Sequence, residues 1–375
     1  MKTKRFSVLQ LILAVLLTAV VLTGGGLLAL RAVVGQGGLA LLEGLFLVHT
    51  RFVGDYDTAA VVDAALEGMV DGLGDRWSYY LTAEEYEAQN QRRKNQYVGI
   101  GVTVNYEREE GLLILEVTEG SPAAQAGLLA GELIPAVDGQ SLAGEARYDG
   151  ADRIRGEAGS TLSLEVRAQT GQTRTVEVRR AALDSDPVEY ELLEGQVGYV
   201  KLSNFYENSA RRLEAAVTAL QEQGARALVF DMRDNGGGYL TELTDMLDFL
   251  LNEGPIFISR DRQGHETVTE SDADCVDLPM AVLVNANTYS AAEFFAAELQ
   301  ERGVAVLVGE PTSGKGYSQQ TFPLPGGSAM ALSTGAYFTG SGKSLIGAGL
   351  TLDREVEPSG EGDAQLDAAL ELLKP

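Results

Sequence analysis

The chain is poor in the residues that build covalent cross-links, metal sites and histidine-based catalysis. Its 375 residues include one cysteine, Cys275, and two histidines, His49 and His265. A single cysteine excludes an intrachain disulfide and a structural zinc site with several cysteine ligands. We therefore interpret Cys275 as a small core or surface residue. With only two histidines, the chain offers few candidates for a histidine general base.

Basic residues are also scarce beside acidic ones. The chain has 29 Lys and Arg against 54 Asp and Glu, a formal net charge of −25. Such a surface repels nucleic acid and anionic lipid headgroups, so no nucleic-acid partner is expected. The hydrophobic and charged fractions, 45% and 22%, are those of a globular protein. The length predicts two or three domains.

Residues 1–31 differ from the rest of the chain in composition. Basic residues within 2–5 precede an uncharged, mostly apolar stretch, residues 6–30, which Arg31 closes. This stretch is long enough to span a bilayer, and the basic flank places the chain after Arg31 outside the cytoplasm. We expect a membrane anchor or signal segment. A cleaved signal, giving a secreted protein, and a buried core helix are the alternatives, and no convincing small-residue cleavage site is present.

The rest of the chain divides into regions that differ in their pattern of apolar and polar residues. Residues 41–95 have apolar residues at three- and four-residue spacing and predict a helical N-terminal domain, with a capped helix beginning at Thr82. Residues 97–181 carry short β-type runs between turns and two helical pieces, typical of a compact β-rich module. Residues 188–358 alternate apolar strands with amphipathic helices, which predicts an α/β domain with a largely buried sheet. Residues 359–375 form a C-terminal helical tail.

The first candidate for chemistry is a serine at a strand-to-helix junction, NANTYSAAEFF. An apolar strand ends at Asn285, and Ser290 follows a short polar turn where a helix begins. A serine at this position either caps the helix with its hydroxyl or acts as a nucleophile assisted by the helix dipole and free amides. The run alone leaves both interpretations open.

A serine nucleophile needs a base, because serine is weak at its own pKa. His49 lies near the N-terminal segment and His265 lies in a predicted turn, so neither has an obvious link to Ser290 and a Ser-His-Asp triad is disfavoured. Lys315 lies between two glycines in EPTSGKGYSQQ, after another buried strand. Glycines allow such a loop to direct a long side chain inward. A solvated loop lysine is the alternative.

A third candidate is the run DMRDNGGGYL after the strand ALVF. Its three consecutive glycines, Gly236 to Gly238, stand at a strand end before a helix. They can expose backbone N–H groups, as an oxyanion hole requires, or form a plain tight turn. Phosphate binding fits less well, because neither a Walker lysine-serine pair nor a GxGxxG order is present.

Together these runs resemble the carboxyl-terminal processing peptidases, which are tail-specific serine peptidases with a PDZ domain. The likeness extends from about Leu41 to Pro358. TYSAAE resembles the family's SASASE-like run, which implies Ser290 as the nucleophile. The GKG element lies 315 − 290 = 25 residues downstream and implies Lys315 as the general base. Gln319, four residues further on, is implied to orient the lysine.

Two other elements carry the resemblance. DMRDNGGG resembles the family's DLRNNPGG, which implies that Gly237 and the amide of Ala291 supply an oxyanion hole. The middle module resembles the PDZ domain, with GIGV as the loop that binds a substrate's terminal carboxylate. That loop consists of Gly99, Ile100, Gly101 and Val102.

The chain also departs from the family pattern. Gly236 stands where proline is usual, Thr288 and Tyr289 stand where serine and alanine are usual, and TLD stands where a proline-aspartate pair is common. The glycine is expected to loosen the loop that presents an oxyanion amide. These departures concern catalytic efficiency and substrate preference more than the dyad.

The resemblance implies a multidomain α+β protein. Its expected parts are an N-terminal membrane helix, a small helical domain, a PDZ-like β-rich module and an α/β (crotonase/ClpP-like) Ser-Lys peptidase domain. The implied activity is that of a serine endopeptidase that cleaves extracytoplasmic proteins and selects them by their C-terminal tails, with no metal or organic cofactor.

The expected partners are polypeptides with accessible C-termini and, through the N-terminal segment, a membrane. The sequence does not fix the oligomeric state and leaves a homo-oligomer open. A catalytically silent PDZ-containing binding scaffold is the alternative function. An α/β enzyme that acts on thioesters is a third hypothesis, although nothing in the sequence suggests a CoA site.

Overall fold

A computed structural model describes residues 31–32, 35–360 and 362–374. The apolar stretch interpreted as a membrane anchor lies outside these residues. Within the described ranges no helix is both long enough and apolar enough to cross a membrane. The chain divides into two compact units, with the boundary between Ala65 and Leu66.

Helices dominate the region before residue 95, as predicted. They are α1 (35–51), α2 (Thr58–Asp71) and α3 (Ala83–Arg93). The capped start of α3 is confirmed, because the Thr82 hydroxyl accepts a hydrogen bond from the Glu85 amide while the Glu85 carboxylate accepts one from the Thr82 amide. The run between α2 and α3 contains a short strand that we did not predict, β1 (Tyr79–Leu81).

The middle region forms a β-rich module, as its short alternating runs predict. Its strands are β2 (Gln96–Gly99), β3 (Val102–Asn105), β4 (Leu112–Val117), β5 (Leu133–Val137), β6 (Gln140–Ser141), β7 (Thr161–Arg167), β8 (Thr173–Arg179) and β9 (Ala181–Asp184). The order of the main sheet is β3-β4-β5-β7-β8, all antiparallel, with β6 paired to β5, while β2 and β9 form a separate ladder. β3 is therefore an edge strand, with no strand on its outer side among the described residues.

Short helices complete this module. They are α4 (Pro122–Gln125), a 3-10 turn (Gly144–Asp149) and α5 (Gly150–Ile154). Apolar side chains from the strands and both helical pieces form one buried cluster, which includes Leu112, Ile114, Leu164 and Ile154. The module has its own core, as expected of an independently packed domain.

The last region contains the predicted buried sheet. Its strands are β10 (Val188–Leu193), β11 (Val197–Leu202), β12 (Ala227–Asp231), β15 (Met280–Val284), β16 (Ala305–Gly309) and β19 (Arg354–Glu355), in that spatial order. All neighbours are parallel except the β10–β11 pair. Every residue of β12 and β15 is buried, because helices cover both faces, as in other parallel sheets.

Four helices pack on this sheet. They are α6 (Ser209–Glu222), α7 (Leu240–Leu250), α8 (Ala291–Glu301) and α9 (Ala364–Leu372). Side chains of α6, α7 and α8 form one core with one face of the sheet, and α9 packs on the other face. α8 is buried along nearly its whole length. This packing holds the start of the helix, where Ser290 precedes Ala291, against the core of the domain.

A second sheet, which the sequence analysis did not predict, lies beside the first. It contains β13 (Gly254–Asp261), β14 (Glu266–Ser271), β17 (Tyr317–Pro323) and β18 (Ala329–Phe338), with β1 added to the edge of β18. Through this pairing the segment just before β1 reaches the loop that carries Lys315.

Candidate active site

Ser290 directly precedes α8 and has a strained backbone conformation. Its φ is 61° and its ψ is −127°, and its side chain makes no capping hydrogen bond. The capping interpretation of this serine is therefore wrong. A non-glycine residue with positive φ costs free energy and persists only where surrounding structure imposes it, and such outliers cluster at functional sites.

The turn before Ser290 is held by hydrogen bonds to the glycine-rich run. The buried Thr288 hydroxyl donates to the Met232 carbonyl (2.8 Å) and accepts from the Asn285 amide (3.0 Å). The Asp234 carboxylate accepts from the side-chain amides of Asn285 (3.0 Å) and Asn287 (2.8 Å). These bonds impose the backbone geometry that carries the serine.

The glycine-rich run touches the start of α8. Gly237 has a φ of +83°, and a Cβ built on it would lie 2.6 Å from the Ala291 amide nitrogen and 2.9 Å from the Ser290 Cβ. Only glycine fits this close approach. The Gly237 N–H donates to the Asn235 side-chain oxygen (2.8 Å). The structure thus brings Gly237 and Ala291 together, but Gly237 must share or release this bond to serve an oxyanion, so its role stays a prediction.

Lys315 is buried rather than solvated, and the alternative of a free loop lysine is wrong. Its exposed fraction is 8%. Burial lowers the pKa of its amine to about 8; Arg93 adds to this effect, whereas the carboxylates of Asp75 and Glu293 oppose it. The Nζ atom lies 4.8 Å from the centre of the Trp77 ring and 5.9 Å from that of Tyr289.

Two residues that sequence reasoning missed connect the serine helix to the lysine loop. The buried Glu293 carboxylate accepts hydrogen bonds from the Thr312 hydroxyl and from the amides of Gly314 (2.8 Å) and Lys315 (3.0 Å). Burial raises its pKa. A glutamate within the apolar run AAEFFAA was the available signal, since a buried charge requires partners.

Tyr337 on β18 is the second of these residues. Its buried hydroxyl donates to the Lys315 carbonyl. Burial and the Glu293 charge raise the pKa of this hydroxyl, and an interaction with the Ser290 side chain opposes that rise. Tyr337 therefore lies against both candidate dyad residues. No local signal in the sequence identifies it.

Gln319 lies on β17, on the strand that follows the lysine loop. Its side-chain amide donates to the Tyr317 carbonyl (2.8 Å) and to the Ser333 hydroxyl (3.2 Å). Among the hydrogen bonds of the described residues, none joins Gln319 to Lys315, and none joins Lys315 to the Ser290 hydroxyl. The orienting role of Gln319 stays a prediction.

Both histidines have partners of their own. His49 Nδ1 lies 3.1 Å from the Tyr56 hydroxyl, within the N-terminal unit. His265 Nδ1 lies 3.0 Å from the Asp261 carboxylate in the turn between β13 and β14, and its side chain is 79% exposed. The turn predicted around His265 is confirmed, and an exposed turn histidine with its own carboxylate partner makes a poor base for Ser290.

The GIGV run links β2 to the edge strand β3. The carbonyl of buried Ile100 accepts from the Ala123 amide (2.8 Å), and that of Gly101 accepts from the Thr118 amide (3.0 Å). Gly101 has a φ of +82°, and a Cβ there would lie 2.3 Å from the Ser121 Cβ. The loop is thereby fixed in place at the start of the open strand edge.

Comparisons with known proteins agree with this architecture. The profile of Peptidase family S41 matches residues 196–356, and that of the PDZ domain matches residues 113–168. A carboxyl-terminal-processing protease of Picosynechococcus sp. is 35% identical over 82% of this chain and 78% of its own length. A carboxy-terminal-processing protease of Bartonella bacilliformis is 32% identical over 83% and 73%.

The chain belongs to the carboxyl-terminal processing proteases of peptidase family S41.

The fold agrees with this assignment. The solved structure of a photosystem II D1 C-terminal processing protease is similar, with a TM-score of 0.51, 28% sequence identity and coverage of 91% of this chain and 92% of that one. A putative S41 protease from Bacteroides fragilis shares the fold, with a TM-score of 0.56 over 83% and 89% of the two chains at 20% identity. The predicted peptidase class and the PDZ domain are confirmed.

Proposed function

We propose that this serine protease cleaves polypeptides with a Ser290–Lys315 dyad. Neutral Lys315 removes the proton from the Ser290 hydroxyl, whose oxygen attacks a peptide carbonyl and forms an acyl-enzyme. Lys315 then returns the proton to the leaving amine, and water completes hydrolysis. The main observation in support is the conformation of Ser290. Its backbone is strained, and its hydroxyl makes no capping hydrogen bond to α8. A pKa of about 8 makes neutral Lys315 accessible near neutral pH.

Two backbone amides are the proposed oxyanion donors. The Ala291 amide stands at the start of α8, where the helix dipole favours negative charge. Gly237 lies against it and supplies the second N–H once its bond to Asn235 is shared. Gln319 is proposed to orient the lysine when substrate closes the site.

The PDZ domain is proposed to select the substrate. An extended C-terminal tail would add as a strand along the open edge of β3, with its carboxylate at the Gly99–Val102 loop. Loosely folded extracytoplasmic proteins with apolar C-termini are the proposed substrates. The N-terminal segment is proposed to hold the protein at the membrane, and a homo-oligomer is compatible with this arrangement.

The catalytically silent scaffold is the second candidate, but a specific observation opposes it. The buried Lys315 amine and the strained Ser290 backbone both lower stability, and a site without chemistry gives no reason to keep either of them.

Proteolysis of an unfolded protein tests the proposal. Ser290→Ala and Lys315→Ala should each reduce cleavage by about a thousandfold or more, because members of one catalytic unit fail together. Ser203→Ala, at an exposed serine, is the matched control and should retain activity. Near-native turnover of either dyad variant would remove the assignment, and inactivity of all variants and wild type alike would favour the scaffold.

A further inference from the structure

Trp77 and Tyr289 form an aromatic pair beside the lysine amine. Their ring centres are 5.9 Å apart, with 35° between the ring planes. Lys315 Nζ lies within 6 Å of both ring centres, the range in which a ring face attracts a cation. The rings also exclude water from the amine on this side. The pair thus acts on Lys315 in two opposed ways, since apolar cover disfavours the charged amine and the ring faces favour it.

Gly236 provides the room that Tyr289 occupies. A Cβ built on Gly236 would lie 2.6 Å from the Tyr289 hydroxyl oxygen and 2.8 Å from the ring carbon that bears it. The backbone of Gly236 has an ordinary φ, so an alanine there meets no conformational barrier. The tyrosine ring is the obstacle. The glycine therefore does not merely loosen its loop, because its missing side chain accommodates Tyr289.

Trp77 is held against the lysine loop by its neighbours. The Arg76 guanidinium donates to the Ser313 carbonyl (3.0 Å), and its central carbon lies 4.3 Å from the Trp77 ring centre. The Asp75 carboxylate accepts from the Trp77 amide (3.1 Å) and from the Ser78 hydroxyl (2.6 Å). These bonds hold the segment that carries Trp77 next to the lysine loop, and the Arg76 guanidinium lies against the indole ring.

We propose that Trp77 and Tyr289 are positioning residues for Lys315, forming an aromatic wall that places its amine and limits its access to water, and that Gly236 is required to make space for this wall. The inference rests on the proposed function, because it assigns the wall to the proposed general base. It explains why a glycine and a tyrosine occur together in this chain at two positions on separate loops.

Several other groups face Lys315 and contribute to its protonation. They are Asp75 from the segment before β1, Arg93 at the end of α3 and Glu293 on α8. The Tyr337 hydroxyl on β18 is close to Lys315 but donates to its backbone carbonyl. Arg76 is near enough to influence Glu293. None of these ionisable side chains is removed by substitutions at the three proposed positions. The Trp77 amide that donates to Asp75 is kept in every variant, and Trp77→Ala and Trp77→Leu both lose the ring contact with Arg76, so a difference between these two variants reports on the wall.

Two substitutions of Trp77 separate its two effects. Trp77→Ala opens the site to water, so the midpoint of the rise of kcat/KM with pH should move upward by about one unit, toward the value of a free lysine. Trp77→Leu keeps apolar cover and removes the ring face, so the midpoint should stay or move downward while kcat falls through lost positioning. Tyr190→Ala, at an exposed tyrosine of β10, is the control and should leave the profile unchanged. Unchanged midpoints in both Trp77 variants would overturn the inference.

A double-mutant cycle tests the space-making role of Gly236. Gly236→Ala should lower kcat/KM by about tenfold or more in the wild-type background and clearly less in a Tyr289→Ala background. Equal losses in both backgrounds would overturn the claim that Gly236 accommodates the tyrosine.

The two proposals fail differently. If Lys315→Ala is inactive while the Trp77 variants keep the wild-type pH profile and the cycle is additive, the dyad stands and the wall is wrong. If Lys315→Ala retains activity, the assignment of Lys315 as the general base is wrong, and the proposed positioning role of Trp77 and Tyr289 fails with it.

Discussion

Lys315 carries an ionisable amine in a site where water is largely excluded. Its pKa of about 8 lies below the ordinary 10.5, so the unfolded chain holds this proton more tightly than the folded protein does. Below pH 8 the folded state therefore contains a buried ammonium that lowers its stability. The deficit disappears as pH rises from 8 to above 10.5. A functional residue of this kind lowers the stability of the fold that carries it.

We expect Lys315→Met to be inactive but more stable. Removal of the buried charge should raise the free energy of unfolding at pH 7 by roughly 3–4 kcal/mol, at about 1.4 kcal/mol per pKa unit. The gain should shrink toward pH 10. Denaturant titrations at both pH values measure it, with the more exposed Lys343→Met as control. A Lys315→Met protein less stable than wild type at pH 7 would contradict this cost.

Glu298 on α8 carries a second buried charge that the proposed mechanism does not use. One carboxylate oxygen accepts from the Gly340 amide (2.8 Å), and the other has no hydrogen-bond partner among the residues that the structure describes. Burial, with a contribution from Glu301, raises the pKa of this carboxyl from 4.5 to about 7. An acid with a raised folded pKa favours folding most while protonated, so stability falls as pH rises from about 4.5 through 7.

Glu298→Gln should remove that dependence. The amide keeps an acceptor for Gly340 and carries no charge, so the variant should be more stable than wild type at pH 8, by at most about 3 kcal/mol, with little gain at pH 4. Unfolding measured across this range, with exposed Glu214→Gln as control, checks the effect. If the free energy of unfolding depends on pH in the same way in wild type and in Glu298→Gln, ionisation of Glu298 does not lower the stability of the fold.

At the scale of elements, one helix joins both halves of the proposed dyad. Ser290 directly precedes α8, and in the first turn of this helix Glu293 accepts hydrogen bonds from the lysine loop. Movement of that loop therefore requires loss of bonds to a buried carboxylate, which is costly. α8 therefore holds Ser290 and the Lys315 loop in a fixed relative position.

Glu293→Gln should weaken the attachment of the lysine loop to α8. The new amide group presents a donor near loop N–H groups that need acceptors, so kcat/KM should fall by about tenfold or more, and stability by about 1–3 kcal/mol. Kinetics and denaturation of this variant beside Glu301→Gln, on the same helix, measure both effects. Wild-type kinetics in Glu293→Gln would mean that the loop holds its geometry unaided.

The sequence predicted the elements whose patterns are local. Parallel strands such as β12 and β15 are continuous apolar runs, and the capping box at Thr82 lies within four residues. We did not predict the second sheet, because its strands lack continuous apolar runs. For example, β17 has the sequence YSQQTFP, and β1 has only three residues. Their pairing with β18 is set by long-range packing.

The same limit applies to the site. Ser290 and Lys315 stand out because each has a distinctive local setting, a strand-to-helix junction and a glycine-flanked loop. Trp77 and Tyr337 do not, since the first reaches the lysine only through the pairing of β1 with β18. The bond between the Gly237 amide and Asn235 is likewise a detail of backbone orientation that residue identity does not specify.

At the scale of the whole molecule, the protease joins a PDZ domain to a peptidase domain. In the proposed function, the open edge of β3 and the Gly99–Val102 loop offer main-chain hydrogen bonds to an extended peptide, so selectivity for a tail would depend on its terminal carboxylate. Separate hydrophobic cores in the two modules allow recognition to be altered without loss of the peptidase fold.

Peptides with a free C-terminus should therefore bind better than the same peptides amidated at that end, by about tenfold, because a charge-assisted hydrogen-bond set is lost. Titration of the Ser290→Ala protein with each pair, by fluorescence anisotropy, gives the ratio without cleavage. Gly101 is unsuitable for testing the loop, since any side chain there meets Ser121. Equal affinities for free and amidated peptides would remove the carboxylate-loop assignment.

The dyad is tested most directly by the pH dependence of kcat/KM on one peptide, in wild type and in Lys315→Arg. A lysine base with a pKa of about 8 should give a rise along a single ionisation near that pH, and the arginine variant should be inactive because arginine keeps its proton. An active Lys315→Arg protein, or a wild-type profile controlled by a group near 6.5 that His49→Ala or His265→Ala abolishes, would contradict the lysine base.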